Sequence, residues 1–152
     1  LPKGRRKRFK QEYGLPEKYI EIFVNNQGLG DYFEKVISEI PETEEGIAVN
    51  PELIKLTANY LITEIKKLLY EKNIDITDSK ISPGNFAEFI ILVKKGIVSS
   101  SGAQTLLKEM LETEAEPDHI IKEKDLGQIS SAEEINLAIE KVIVYRNRKY
   151  WL

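Results

Sequence analysis

From Asn50 onward, apolar side chains return with the period of an α-helix, and proline stands where a helix can open. Asn50-Pro51 supplies a side-chain acceptor followed by a residue with no amide donor, which suits a first helical turn whose donors lack intrahelical partners. Ile54, Ala58, Leu61, Ile65 and Leu68 then recur at intervals of four, three, four and three, so one stripe faces a core. Leu53, Leu56, Tyr60 and Leu69 widen the stripe. The spacing predicts a central helix, packed on more than one side and ending near Asn73.

The pattern continues downstream. Ser82-Pro83 repeats the cap-and-proline pairing, Phe86, Phe89, Ile90 and Val93 follow at helical spacing, and Gly96 after Lys94-Lys95 marks the stop. Ser101 with Gln104 reads as a capping box for a helix burying Ala103, Leu106, Leu107, Met110 and Leu111. Glu116-Pro117 opens a short helix using Ile120 and Ile121, and Ser131 with Glu134 opens another carrying Ile135, Ala138, Ile139, Val142 and Ile143. Upstream, Leu15-Pro16 opens a helix through Tyr19, Ile20, Phe23 and Val24, while Asp31 is expected to cap one carrying Phe33, Val36, Ile37 and Ile40. Residues 41–46 read as an acidic turn or linker. The segment 74–81 alternates like a strand but has no partner, so an extended connector is expected. The fold class that follows is all-α, a multi-helix bundle with short capped loops.

Composition narrows the chemistry. The 152 residues contain no cysteine and one histidine, which removes thiolate metal sites, cysteine nucleophiles and any zinc site built from several His or Cys ligands. His119 beside Asp118 reads as a structural or solvent-exposed residue at a helix start, since catalysis needs further groups. Asp75 and Asp78 lack the spacing of an EF-hand and read as turn chemistry. Gly28, Gly30, Gly96 and Gly102 do not form a phosphate loop. The run Ser99-Ser100-Ser101-Gly102 can hold a phosphate at a helix N-terminus, and capping explains it equally well. No apolar run approaches the roughly 20 residues that span a bilayer, so no membrane contact and a cytoplasmic setting are expected. The first residue is Leu, and the chain is expected to begin within a longer reading frame or after processing.

Charge is unevenly placed. Residues 1–10 hold Lys3, Arg5, Arg6, Lys7, Arg8 and Lys10 with no acid, and the last eight residues add Arg146, Arg148 and Lys149. Between them lie thirteen basic residues against all twenty-five acidic ones. Such a split permits a phosphate-binding end on a body that repels nucleic acid, or simply a solvated helix face. The ending Tyr145-Arg146-Asn147-Arg148-Lys149-Tyr150-Trp151 can stack on bases or close the bundle.

Taken together, an ordered series of segments resembles a known family. Leu1-Pro2, Arg5-Arg6, Arg8-Phe9 and Glu12-Tyr13-Gly14-Leu15-Pro16 are similar to the end of the catalytic region of the B subunit of the tRNA-dependent amidotransferase. Asp31-Tyr32-Phe33-Glu34, Asn59-Tyr60-Leu61, Ile81-Ser82-Pro83, Phe86-Ala87-Glu88, Lys108-Glu109-Met110-Leu111-Glu112-Thr113 and Leu126-Gly127-Gln128-Ile129-Ser130 continue it in order, so the resemblance covers about residues 1–143. It implies an enzyme of A, B and C subunits that converts Glu-tRNA(Gln) to Gln-tRNA(Gln), or Asp-tRNA(Asn) to Asn-tRNA(Asn), using glutamine and ATP. The A subunit releases ammonia, and the B subunit activates the misacylated carboxylate with ATP and Mg²⁺ in a cradle domain that would lie upstream of Leu1. On that basis this chain carries no catalytic residue and no cofactor of its own, is inactive alone, and handles tRNA(Gln) or tRNA(Asn) beside the A and C subunits.

The expected organisation is a junction over 1–28, a helical domain over 29–130, and over 131–152 the start of a truncated tail domain related to the YqeY proteins. After Ile143 the family continues into a lysine-rich tail, whereas this chain closes with residues 144–152, through truncation or an altered frame. Arg5, Arg6, Arg8 and Lys10 are the expected tRNA phosphate contacts. The competing readings are a helical protein-interaction module that joins subunits without touching tRNA, a helix-turn-helix DNA binder, weakened by the lack of a basic recognition helix, and a free-standing enzyme.

Overall fold

The computed structural model describes residues 2–40 and 50–128, and within them every regular element is a helix. In chain order these are α1 (Pro2–Gln11), α2 (Glu17–Asn25), α3 (Gln27–Glu39), α4 (Pro51–Tyr60), a π-helical turn (Leu61–Ile65), α5 (Lys66–Lys72), a 3₁₀ turn (Ile76–Asp78), α6 (Pro83–Lys94), α7 (Ser100–Thr113) and α8 (Pro117–Lys124). One isolated antiparallel bridge, Val98 to Gly127, ties the start of α7 to the end of α8. The expected all-α bundle is what the described residues adopt. The expected acidic turn or linker over 41–46, the helix opening at Ser131 and the aromatic-basic ending lie outside the described residues.

The long helix from Pro51 begins as its sequence dictates, with the Asn50 side chain accepting from the Glu52 amide at 2.8 Å. It ends at Asn73, which turns left-handed at φ 54°. Its middle departs from expectation, because α4 and α5 are joined through the π turn. A wider turn retards rotation about the axis. Leu69 is accordingly buried at 8% exposure while Leu68 is half-buried, the reverse of the order that an uninterrupted helix assigns.

Nor is this helix the centre of the bundle. That place belongs to α6, where Gly84 and every residue from Phe86 to Leu92 are buried. A helix that is apolar on nearly all sides must be surrounded. Helices α3, α4 and α8 pack on it, and Tyr32 of α3 donates to the Ile81 carbonyl at 2.7 Å, fixing the chain just before α6 opens.

Two caps fall elsewhere than expected. The side chain of Asn26, not Asp31, caps α3, accepting from the Leu29 amide at 3.1 Å, so Asp31 lies one turn inside the helix. At α7 the cap is Ser99, which accepts from the Gly102 amide at 3.0 Å, and Ser101 is already helical. The bridge at Val98 holds the backbone extended up to Ser99, and a cap residue must still be extended when the helix starts. The 74–81 connector folds into the 3₁₀ turn, which buries Ile76 ahead of the buried Ile81.

Residues 2–28 contribute α1 and α2 to the same buried cluster as the helices that follow. Phe9, Phe23 and Phe33, one from each of α1, α2 and α3, are all fully buried. Phe23 and Phe33 stack at 4.7 Å, and Phe9 meets them edge-on at 6.0 and 5.9 Å. Edge-to-face and stacked rings are favoured beyond the area they bury, so this trio fixes how α1 lies on the body.

Candidate nucleic-acid interface

Helix α1 has two faces of opposite use. At about 100° per residue, Arg5 and Phe9 share one side, Arg6 and Arg8 flank it, and Lys3, Lys7 and Lys10 fall together within an arc of about 60° on the other. Phe9 is buried, Arg5 is half-buried, and the three lysines are exposed.

The arginines meet acids on the neighbouring helices. Arg5 Nη2 reaches Asp31 Oδ1 at 2.7 Å and Glu34 Oε2 at 3.6 Å. Arg8 makes a two-pronged contact, Nε to Glu34 Oε1 and Nη2 to Glu34 Oε2, both at 2.8 Å. Arg6 pairs with Glu21 of α2, its Nε 2.7 Å from Oε1. Both Arg5 and Arg8 also lie over the Phe9 ring, at 5.2 and 5.7 Å from its centroid. Planar guanidinium groups can stack on a ring and bind a carboxylate at two points, and lysine cannot do both.

Electrostatics follow from these pairs. The Glu21 carboxyl is held below its ordinary pKa by the hydrogen bond from Arg6, and the Arg6 guanidinium is raised in return. Tyr13 donates to Glu34 Oε1 at 3.2 Å, and burial together with the Glu34 charge pushes its hydroxyl up to about 12.

A close approach makes the arrangement possible. A Cβ placed on Gly30 of α3 would lie 2.7 Å from the Phe23 carbonyl oxygen and 2.8 Å from Arg5 Nη2. Glycine at this position lets α2 and the Arg5 guanidinium lie directly on the α3 backbone.

Of the four residues expected to contact tRNA, then, Arg5, Arg6 and Arg8 are paired within the chain. Lys10 takes part in no ion pair among the described residues, and neither do Lys3 and Lys7, which complete its row. The spacing of three lysines at i, i+4 and i+7 was present in the sequence as a signal for one face. What the sequence lacked was the position of Glu21, Asp31 and Glu34.

Other candidates gather no chemistry. His119 is exposed on α8, and no group of three His, Cys, Asp or Glu side chains among the described residues could hold a metal. A cleft of about 310 Å³ between α3, the 3₁₀ turn and the start of α6 is lined by Gly28, Tyr32, Thr77 and Ser82, with Asp31 already engaged by Arg5. No described helix is long and apolar enough to cross a membrane.

Comparison with known proteins bears on the same segment. The B subunit of the aspartyl/glutamyl-tRNA(Asn/Gln) amidotransferase of Thermoanaerobacter sp. (strain X514) is 32% identical over 143 residues, covering 94% of this chain and 28% of that protein. The protein of the same name from Thermotoga maritima is 30% identical over 143 residues, again 94% of this chain and 27% of its own length. That of Fusobacterium nucleatum is 35% identical over 136 residues, 90% of this chain and 26% of its own length. The chain thus spans little more than a quarter of the relatives that it matches. Because the family model for the GatB domain matches residues 31–149 and these relatives align across nearly all of the chain, the chain belongs to the GatB domain family.

Proposed function

We propose that this chain is the tRNA-handling, C-terminal part of the B subunit of a glutamine-dependent amidotransferase that converts Glu-tRNA(Gln) to Gln-tRNA(Gln) or Asp-tRNA(Asn) to Asn-tRNA(Asn). The observation that carries the reading is the alignment of nearly the whole chain with about a quarter of the length of its B-subunit relatives. A body whose described residues form helices closed over one buried cluster suits a scaffold for substrate. In this reading the carboxylate activation that needs ATP and Mg²⁺ occurs elsewhere in the B subunit, the A and C subunits are partners, the setting is cytoplasmic, and the chain alone is inactive.

A second reading, a helical module that joins subunits without touching tRNA, is favoured by one observation: three arginines of α1 are spent on internal acids. Titrating labelled tRNA(Gln) and tRNA(Asn) with the chain at two salt concentrations separates the two. Saturable binding that weakens as salt rises is expected. No binding at low salt, together with capture of the A or C subunit in the absence of tRNA, would establish the second reading instead.

A further inference from the structure

We propose that the row Lys3, Lys7 and Lys10 on the outer face of α1 is the surface through which this chain grips an RNA phosphate backbone, and that the arginines behind it act as a clasp holding α1 to the body. The proposal rests on the tRNA-handling reading and names its contact surface.

Three observations carry it. First, the division of charge on α1 is by residue type: Arg5, Arg6 and Arg8 face carboxylates, whereas the exposed Lys3, Lys7 and Lys10 take part in no ion pair among the described residues. The cost of assembling so much positive charge on one helix is offset on one side only. Lysine ammonium groups on flexible stems suit phosphates, which need charge more than fixed geometry.

Second, the face has a shape that admits a strand. The lysines lie about 6 Å and about 4.5 Å apart along the helix axis. A surface groove of about 500 Å³ borders the row at Lys7, and is lined otherwise by Gly4, Arg5, Arg8, Gln11 and Glu12, whose carboxylate stands at one end among three basic side chains. Nothing lies within 4 Å of where a Cβ on Gly4 would stand, so the α1 backbone itself is open to a close neighbour.

Third, the remainder of the chain directs a polyanion here. Residues 11–144 hold twenty-five acids against thirteen basic residues, which repels RNA from the body. The lysine row carries no aromatic or aliphatic side chain, so it lacks the apolar anchors on which protein partners concentrate their binding energy.

The test is a fluorescence titration of labelled tRNA(Gln) over a salt series, using the 152-residue chain and two triple variants with equal change of charge. One carries Lys3→Gln, Lys7→Gln and Lys10→Gln. The other carries Lys55→Gln, Lys66→Gln and Lys67→Gln, which alters exposed lysines of α4 and α5. The α1 variant should bind at least about ten-fold more weakly at low salt, with the slope of log K against log salt reduced by about 2 to 3, near 0.9 per lost phosphate contact. Lysine-to-arginine replacement at the same three positions should restore affinity, and circular dichroism should show all variants equally helical. If the parent chain binds tRNA and the α1 variant binds it equally well, or if both triple variants lose affinity alike, the lysine row is not the contact while the tRNA-handling reading stands. If the parent chain binds poly-glutamate through these lysines but not tRNA, or binds neither, both the surface assignment and the reading beneath it fall.

Discussion

Replacing Gly30 by alanine probes the α1–α2–α3 junction more sharply than any charge change. In an exposed helix interior the substitution would stabilise by about 1 kcal/mol through helix propensity. Here the new methyl would lie 2.7 Å from the Phe23 carbonyl oxygen and 2.8 Å from Arg5 Nη2. The carbonyl belongs to the α2 backbone, so it cannot swing away as a side chain end could, and overpacking of this kind costs about 1–3 kcal/mol. Displacing the Arg5 guanidinium adds the loss of a charged hydrogen bond to Asp31, about 1.5–3 kcal/mol in a favourable setting and toward the low end for an aspartate that is about half exposed. Net destabilisation of about 1–3 kcal/mol is expected. Urea unfolding followed by circular dichroism should therefore show a lower midpoint, and thermal unfolding a melting temperature lower by roughly 2–10 °C. Gly28→Ala supplies the internal comparison, because its Cβ would meet its nearest neighbours at an ordinary 3.6 Å. That variant should be neutral or slightly more stable. A Gly30→Ala chain as stable as the parent, or the same sign and size of effect at both glycines, would refute the close-approach argument. In an Arg5→Ala background the cost of Gly30→Ala should be smaller by the part due to Arg5, with the part due to the Phe23 carbonyl unchanged.

Further outcomes follow from the same geometry. Phe9→Ala removes a fully buried ring packed against Phe23 and Phe33 and should cost about 3–5 kcal/mol in urea unfolding, since α1 has no other buried side chain; a cost below about 1 kcal/mol would mean that α1 does not dock as described. Ser99→Ala should lose about 1 kcal/mol with its cap, and Ser101→Ala should be near neutral, the reverse of what a capping box at Ser101 predicts. The Tyr13 hydroxyl is raised to about 12, and that of Tyr32 is raised by burial. A folded pKa above the unfolded value gives stability that is present below about pH 10 and lost as pH climbs through the folded value. Unfolding midpoints should therefore fall above about pH 10, with tyrosinate absorbance lagging that of unfolded chain. For Glu21, lowered by Arg6, the sign is opposite: its small contribution, small because both side chains are exposed, is lost as pH falls through the carboxylate range.

The periodic apolar pattern and the cap-and-proline pairs determined, without any tertiary information, that the chain is all-α, where α4, α6 and α8 begin, and where α6 stops. Those features are local, since a cap needs neighbours within one turn and a stripe needs the helical period. Caps at Asn26 and Ser99 escaped because Asp31 and Ser101 offered equally good local chemistry, and the choice was made by contacts from afar, such as the Val98–Gly127 bridge that keeps the chain extended up to Ser99. The π turn and the central place of α6 escaped for the same reason, as each reflects how helices share space. For the candidate interface, the sequence by itself determined that six basic residues stand together at residues 1–10. Tertiary structure decided which of them are available. Residues 15 and 26 positions away bring Glu21, Asp31 and Glu34 against the arginines, and only folding places those carboxylates, because charge pairing acts through distances that sequence order does not encode.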